Sequence, residues 1–404
     1  MAWRDNNRMD FELTRPPADF IDNPYRHYDS LREQDPVHRF ADGGVFLSRY
    51  EDVVAMYRNS SASSDKKVEF KPKFGDSPLY EHHTTSLVFS DAPLHTRVRG
   101  LIMGALNQRA IARMEAGVVT LVGQLLDDMA AHGRVDFIDA FAARIPVEVI
   151  GNLLDVPRGE RGPLRAWSIA ILSGLEPKPT SEMLERGNQA VTAFVDYLKG
   201  LIEARRGNPG DPESDVLTRL IQGEKDGTRL SAAELHHNCI FLLNAGHETT
   251  TNLIGNGMWL LLRFESEMQR LRRDPGLIAS AVEEMLRYEG PIQLNNRRLT
   301  APLELGGKRL DAGTSITLGI GAANRDSTQF AEADRFDVGR KPNRHVAFGH
   351  GDHACAGMNV ARMEARIAFE ALLKRFPRIA AAGMPERDRR IRFRGFRKLP
   401  VSVG

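Results

Sequence analysis

The chain has 404 residues, 42% hydrophobic and 27% charged, a globular composition that excludes a disordered or low-complexity protein. A formal net charge of +2 gives no broad attraction for nucleic acid or for an anionic membrane surface. Two distant cysteines, Cys239 and Cys355, exclude a disulfide framework, and no apolar run approaches the roughly 20 residues of a membrane span.

The N-terminal run to Pro17 carries charges where a signal peptide has its apolar core. A cytoplasmic protein without a membrane anchor is therefore the expectation. No repeat or linker marks a boundary, so residues 1–404 are read as one domain. The first helical pattern runs from Pro24 to about Glu33. Val37 to Phe40 and Val45 to Ser48 flank Ala41-Asp42-Gly43-Gly44, a hairpin signal. Tyr50 to Arg58 reads as a helix. Residues 60 to 90 show little periodicity and read as a long irregular loop, of the kind that often carries function.

From Pro93 to about Phe264 helical patterns dominate, broken at Asp155-Val156-Pro157, Pro177 to Pro179 and Asn208-Pro209-Gly210. Near the start of this region His95 and Arg99 stand four apart and share a helix face. Ser231-Ala232-Ala233-Glu234 is a capping box, and the helix it opens runs about 50 Å to Phe264. Its middle reads Ala245-Gly246-His247-Glu248-Thr249-Thr250-Thr251. Leu242, Ala245, Gly246 and Thr249 lie on one face, where small side chains leave room for a flat group. Threonine hydroxyls bonded back to carbonyls can bend such a helix. Cys239 reads as packing, and His247 as structural or solvent-facing.

A further helix begins near Pro275 and carries Glu284 and Arg287, three apart on one face. On local grounds this is an exposed ion pair of modest value. Gln293 to Thr300 follows Pro291 and holds Asn295, Asn296, Arg297 and Arg298. Short strand-like runs from Pro302 to Leu318 include a hairpin around Gly306-Gly307, and residues 324 to 347 are irregular. The whole reads as mainly α with small β-sheets, an α+β class.

The most distinctive stretch is Phe348-Gly349-His350-Gly351-Asp352-His353-Ala354-Cys355-Ala356-Gly357, followed by a helix from Met358 to about Phe376. A thiol at a helix N-terminus meets the positive end of the helix dipole and is favoured as thiolate. It can serve as a nucleophile or a metal ligand. A buried structural cysteine, or zinc held by His350, His353 and Cys355, are the other readings of this stretch.

The stretch resembles the haem-binding loop of the cytochrome P-450 family, Phe-Gly-x-Gly-x-His-x-Cys-x-Gly, at Phe348, Gly349, Gly351, His353, Cys355 and Gly357. Ala245 to Thr249 resembles the family's oxygen-binding motif, Ala-Gly-x-(Asp/Glu)-Thr. The resemblance implies the P-450 fold, with a long central helix over haem b (iron protoporphyrin IX) and Cys355 as axial ligand of the iron. It implies Thr249 and Glu248 as the catalytic pair that delivers protons to oxygen. It implies His95, Arg99, Arg297 and His353 as holders of the propionates, with Ala245, Phe348, Gly349 and Gly357 against the cofactor. Glu284 and Arg287 become a structural lock completed by Arg335 or Arg340. The implied activity is hydroxylation of a small organic substrate with O2, by a soluble monomer of bacterial type. Electrons would come from a ferredoxin or flavodoxin with its reductase, with Arg340, Lys341, Arg344 and Arg362 as the basic docking face. The same fold using peroxide, and a haem-binding sensor without turnover, are the alternatives.

Overall fold

The computed structural model describes residues 9–212, 215–222 and 230–404. Two compact units emerge. The first holds the residues up to Ser64, Arg263–Cys355 and Arg387–Gly395. The second holds Asp65–Leu262, Ala356–Glu386 and Phe396–Gly404.

The first unit is built on a five-stranded sheet in the order Val37–Arg39, Val45–Leu47, Ser315–Gly319, Leu294–Leu299, Ala62–Ser63. The predicted hairpin forms with Val37 opposite Leu47, and Gly43 takes φ +87° at its turn. Val45–Leu47 then pairs parallel with Ser315–Gly319, Val45 opposite Ile316. Burial of all three residues of Val45–Leu47 suits its place inside the sheet, paired on both edges. Side chains alternate between faces as a pleat requires. Val45 and Leu47 join a core with Val37, Val53, Met56, Ile316 and Leu318. Phe46 joins another with Phe11, Phe20, Tyr28, Phe40 and Leu294. Each such side chain contributes about 1.5–3 kcal/mol by leaving water. The second predicted hairpin is present too, Leu303–Leu305 with Lys308–Leu310, turning through Gly306 and Gly307 at φ +56° and +71°.

The second unit is helical. Its helices include Leu94–Ala105, Gln108–His132, Arg144–Leu153, Leu164–Ser173, Ser181–Gly207, the long helix from Ala232, and Met358–Arg375. Several starts are set by side-chain caps: Asn107 accepts from Ala110 N, and Thr180 from Met183 N. A three-stranded sheet, Arg134–Asp136, Pro400–Val403 and Ile379–Ala381, closes this unit.

Residues 60 to 90 are not an irregular loop. They contain the helices Lys67–Phe74 and Pro78–Thr85 and a 3-10 turn at Leu87–Phe89. Ser77 caps the second helix by accepting from Tyr80 N, with Pro78 at its first position. No apolar stripe announces these helices. They are held instead by clustered rings, Phe70 lying 5.1 Å from both Phe74 and Phe89, and His83 5.7 Å from Phe89.

Candidate functional site

In the first unit the cysteine loop is folded tightly by its own backbone. Cys355 N donates to Phe348 O at 2.8 Å, and Ala354 N to Gly351 O at 3.0 Å. Gly349 and Gly351 take φ +69° and +68°, conformations that favour glycine. A Cβ on Gly351 would also sit 3.0 Å from Tyr57 O. The loop leaves Cys355 exposed, three residues before the helix Met358–Arg375. His353 and Phe348 are half-buried. Neither the buried-cysteine reading nor the zinc reading fits this arrangement. His350 Nε2 accepts from Arg58 Nε at 2.8 Å. Among the described residues, no group of three or more His, Cys, Asp or Glu side chains is placed to hold a metal ion.

Arg297 belongs to the same unit, on the strand Leu294–Leu299, and is buried. Its guanidinium lies 5.2 Å over the Tyr57 ring, and its Nη1 donates to Asn296 O at 2.9 Å. Arg298 alternates to the other side of the strand and is half-buried. The two asparagines beside Arg297 are occupied. Asn295 Nδ2 donates to the Tyr57 hydroxyl at 3.2 Å, and Asn296 Nδ2 to Thr317 Oγ1 at 3.0 Å, while Arg392 bonds Asn296 Oδ1. Tyr57 was invisible to motif reading: it is one aromatic residue at the end of an ordinary helix.

The choice of lock arginine is settled in this unit. Glu284 Oε1 accepts from Arg287 Nη2 at 2.8 Å, Arg340 Nε at 3.1 Å and Asp337 N at 3.0 Å. Oε2 accepts from Arg287 Nε at 2.7 Å and Asn343 Nδ2 at 3.1 Å. Arg335 supplies only its carbonyl, and its side chain pairs with Glu332 outside. The Glu284–Arg287 pair is fully buried, so the exposed-pair expectation from local spacing does not hold. Arg340 is consumed by the lock and leaves the proposed basic docking face.

In the second unit the long helix runs Ala232–Arg263, its last residue falling in the other unit. The capping box is formed: Glu234 N donates to Ser231 Oγ at 3.2 Å and Ser231 N to Glu234 Oε2 at 2.8 Å. Glu234 also pairs with Arg97. Mid-helix, Asn244, His247, Glu248 and Thr250 are buried, Thr249 is half-buried and Ala245 is exposed. One turn of an otherwise buried helix is thus left uncovered, along the small-residue face. Gly246 has a packing reason, since a Cβ there would lie 2.4 Å from Ile150 Cδ1. Thr249 Oγ1 donates to Ala245 O at 2.6 Å and Thr251 Oγ1 to His247 O at 2.9 Å. His247 does not face solvent: burial, then the charge of Arg165, pushes its imidazole down to about 3, so it is neutral. Burial pushes the Cys239 thiol up to about 12, consistent with packing alone.

His95 is buried in the first turn of Leu94–Ala105. Arg99, one turn on, is half-buried and makes no hydrogen bond or ion pair among the described residues. Gly357 precedes the helix Met358–Arg375 with open space where a Cβ would stand. Within the first unit, the exposed thiol on a tight glycine loop suits a metal ligand. Within the second, the uncovered small-residue helix face and the half-buried Arg99, which has no counter-ion among the described residues, suit a flat anionic group.

The family model described as cytochrome P450 matches residues 172–396. The chain is 34% identical over 400 residues to the polyketide biosynthesis cytochrome P450 PksS of Bacillus subtilis, covering 95% of this chain and 97% of that one. It is 36% identical to the 6-deoxyerythronolide B hydroxylase of Saccharopolyspora erythraea, with 94% and 96% covered. The chain belongs to the cytochrome P450 family. A solved structure of P450BioI, in complex with an acyl carrier protein ligated to hexadec-9Z-enoic acid, matches with a TM-score of 0.91 at 32% identity, covering 96% of this chain and all of that one. The fold is accordingly that of a cytochrome P450, the cofactor is haem b, and the activity is that of a P450 monooxygenase. Among the described residues, no helix is long and apolar enough to cross a membrane.

Proposed function

We propose that residues 1–404 form a single haem domain in which Cys355 ligates the iron, and that the enzyme hydroxylates a small apolar or moderately polar organic molecule. The observation that carries this is the exposed Cys355 thiol on a loop held by two left-handed glycines, directly before a helix. Thiolate-ligated haem, when bound, activates dioxygen for insertion of one oxygen atom into a C–H bond. The chain's residues divide the remaining work. His95, Arg99, Arg297 and His353 neutralise and hydrogen-bond the propionates, which cannot be buried without such partners. Ala245, Phe348, Gly349 and Gly357 bound the cofactor. Glu248 and Thr249 bring protons to the oxygen side through a carboxylate and a hydroxyl on adjacent residues.

The relatives' names support the substrate class: one is a hydroxylase of 6-deoxyerythronolide B, one is vitamin D(3) 25-hydroxylase, and P450BioI is seen with a fatty-acyl carrier protein. The electron donor is a ferredoxin or flavodoxin with its reductase, meeting exposed Lys341 and Arg344. The protein works in the cytoplasm as a monomer.

The test is turnover with a surrogate ferredoxin, its reductase, reduced nicotinamide and isotopically labelled O2, over a panel of fatty acids, macrolactones and sterols. A product carrying one labelled oxygen supports the reading. Equal product from peroxide without a reductase favours the peroxide-using alternative. Gas binding with no nicotinamide consumed favours a sensor.

A further inference from the structure

Tyr57 ends the helix Tyr50–Arg58 and is buried. Three separate contacts converge on it within the first unit. Its ring lies under the Arg297 guanidinium at 5.2 Å. Its hydroxyl accepts from Asn295 Nδ2 at 3.2 Å, two residues before Arg297 on the same strand. The cysteine loop packs against it: a Cβ on Gly351 would be crowded at 3.0 Å from the Tyr57 carbonyl oxygen, and Gly349 faces the Tyr57 hydroxyl at ordinary contact distance. The next residue, Arg58, ties His350 of the same loop. One helix end therefore touches both the strand that carries Arg297 and the loop that carries Cys355. A guanidinium held over an aromatic face in a buried setting is attracted to it and loses freedom. Burial raises the pKa of the phenol, so its ring face keeps the neutral form's charge distribution beside Arg297.

We infer that Tyr57 is a positioning residue: it fixes the Arg297 guanidinium and the backbone of the cysteine loop in one register, and so sets how firmly this P450 retains haem. The inference rests on Arg297 as a propionate partner, as proposed above. The ring carries the effect on Arg297, the hydroxyl anchors Asn295, and the closest approach to the loop is made by the main-chain carbonyl.

The experiment is a double-variant cycle on the haem-loaded enzyme, reading the rate of haem transfer to excess apomyoglobin and the Soret band of the reduced carbon monoxide complex. Tyr57→Leu should lose haem at least about tenfold faster, and part of its carbon monoxide complex should shift to the band of a protein without thiolate ligation. Tyr57→Phe should stay within about threefold of wild type. Arg297→Lys should also speed haem loss, but little further in the Tyr57→Leu background, because the two act as one unit. Tyr57→Met carries the same expectation as Tyr57→Leu and replaces it should the latter not fold. Val53→Ala, in the same core, should lower the melting temperature without coupling to Arg297. Haem loss in Tyr57→Leu no faster than in Val53→Ala, or Tyr57 and Arg297 effects that simply multiply, overturns the inference. Wild-type retention in Arg297→Lys overturns the assignment of Arg297 itself, and this inference with it.

Discussion

Thr249 Oγ1 donates to Ala245 O, one turn back along the long helix, at 2.6 Å. The hydroxyl is thereby held on the uncovered face of the helix, beside Glu248, which is buried. A threonine so tied spends its proton on the backbone and offers its oxygen lone pairs outward, the orientation needed to accept from a water or an oxygen species. Thr249→Ala should leave haem and substrate binding intact. Product formed per nicotinamide oxidised should fall at least about tenfold, since proton delivery by positioned groups, here through a water that the hydroxyl orients, contributes about 10²–10⁴-fold. Full coupling in this variant would show that the hydroxyl has no part in proton delivery.

The lock supplies a stability prediction that separates two neighbouring arginines. The Arg340 side chain is about nine-tenths buried and donates to Glu284 Oε1 and to the carbonyls of Ala331, Glu332 and Arg335. Arg340→Ala should destabilise the protein by about 3 kcal/mol, the cost of stripping one partner from a buried charge network. Arg335→Ala should change stability by less than about 0.5 kcal/mol, because its side chain is exposed. Chemical denaturation of the two variants decides the matter; equal losses would contradict it.

Glu364 gives a pH prediction. It lies buried on the helix Met358–Arg375, and burial pushes its carboxyl up to about 8. Below the ordinary value of 4.5 the folded and unfolded chains are both protonated at this site, and folding has its full stability. As pH rises from there to about 8 the unfolded chain ionises and the folded one does not. Stability is lost progressively, by at most ~5 kcal/mol. Glu364→Gln should flatten that slope and melt higher at pH 8 than wild type. Melting temperatures at pH 5, 6.5 and 8 test this, and parallel slopes would refute it.

Glu289 works in the opposite sense. Burial alone would raise its pKa, but Arg394 and Arg387 overcome this and hold its carboxyl at about 2. Its contribution is present above the ordinary carboxylate value and is lost as pH falls toward 2. Glu289→Gln should therefore reduce stability at pH 7 and narrow its difference from wild type by pH 3. A difference that stays constant over this range would count against the network.

Elements signalled by local chemistry were legible in the sequence. The Ser231–Glu234 capping box, the Gly306-Gly307 turn and the full span Tyr50–Arg58 needed no distant partner to be recognised. The cysteine loop was legible because its glycines meet a backbone demand of the loop itself. What escaped depends on contacts between distant residues. The helices of residues 67–85 have no apolar stripe and rest on rings brought from Phe70, Phe74, His83 and Phe89. Spacing alone read Glu284 and Arg287 as an exposed pair, because the backbone of residues 324–337 that covers them is remote in sequence. Arg335 and Arg340 were indistinguishable for the same reason. Tyr57 is 238 residues before its partner Asn295, and no periodicity connects them.

The most direct test of the account is the absorption spectrum of the purified protein, reduced and exposed to carbon monoxide, for the wild type and for Cys355→His. The account predicts a strongly red-shifted Soret band in the wild type that is lost in the variant while haem is still bound. A wild type without that band after haem reconstitution, or a Cys355→His protein that keeps it, would contradict Cys355 as the iron's ligand.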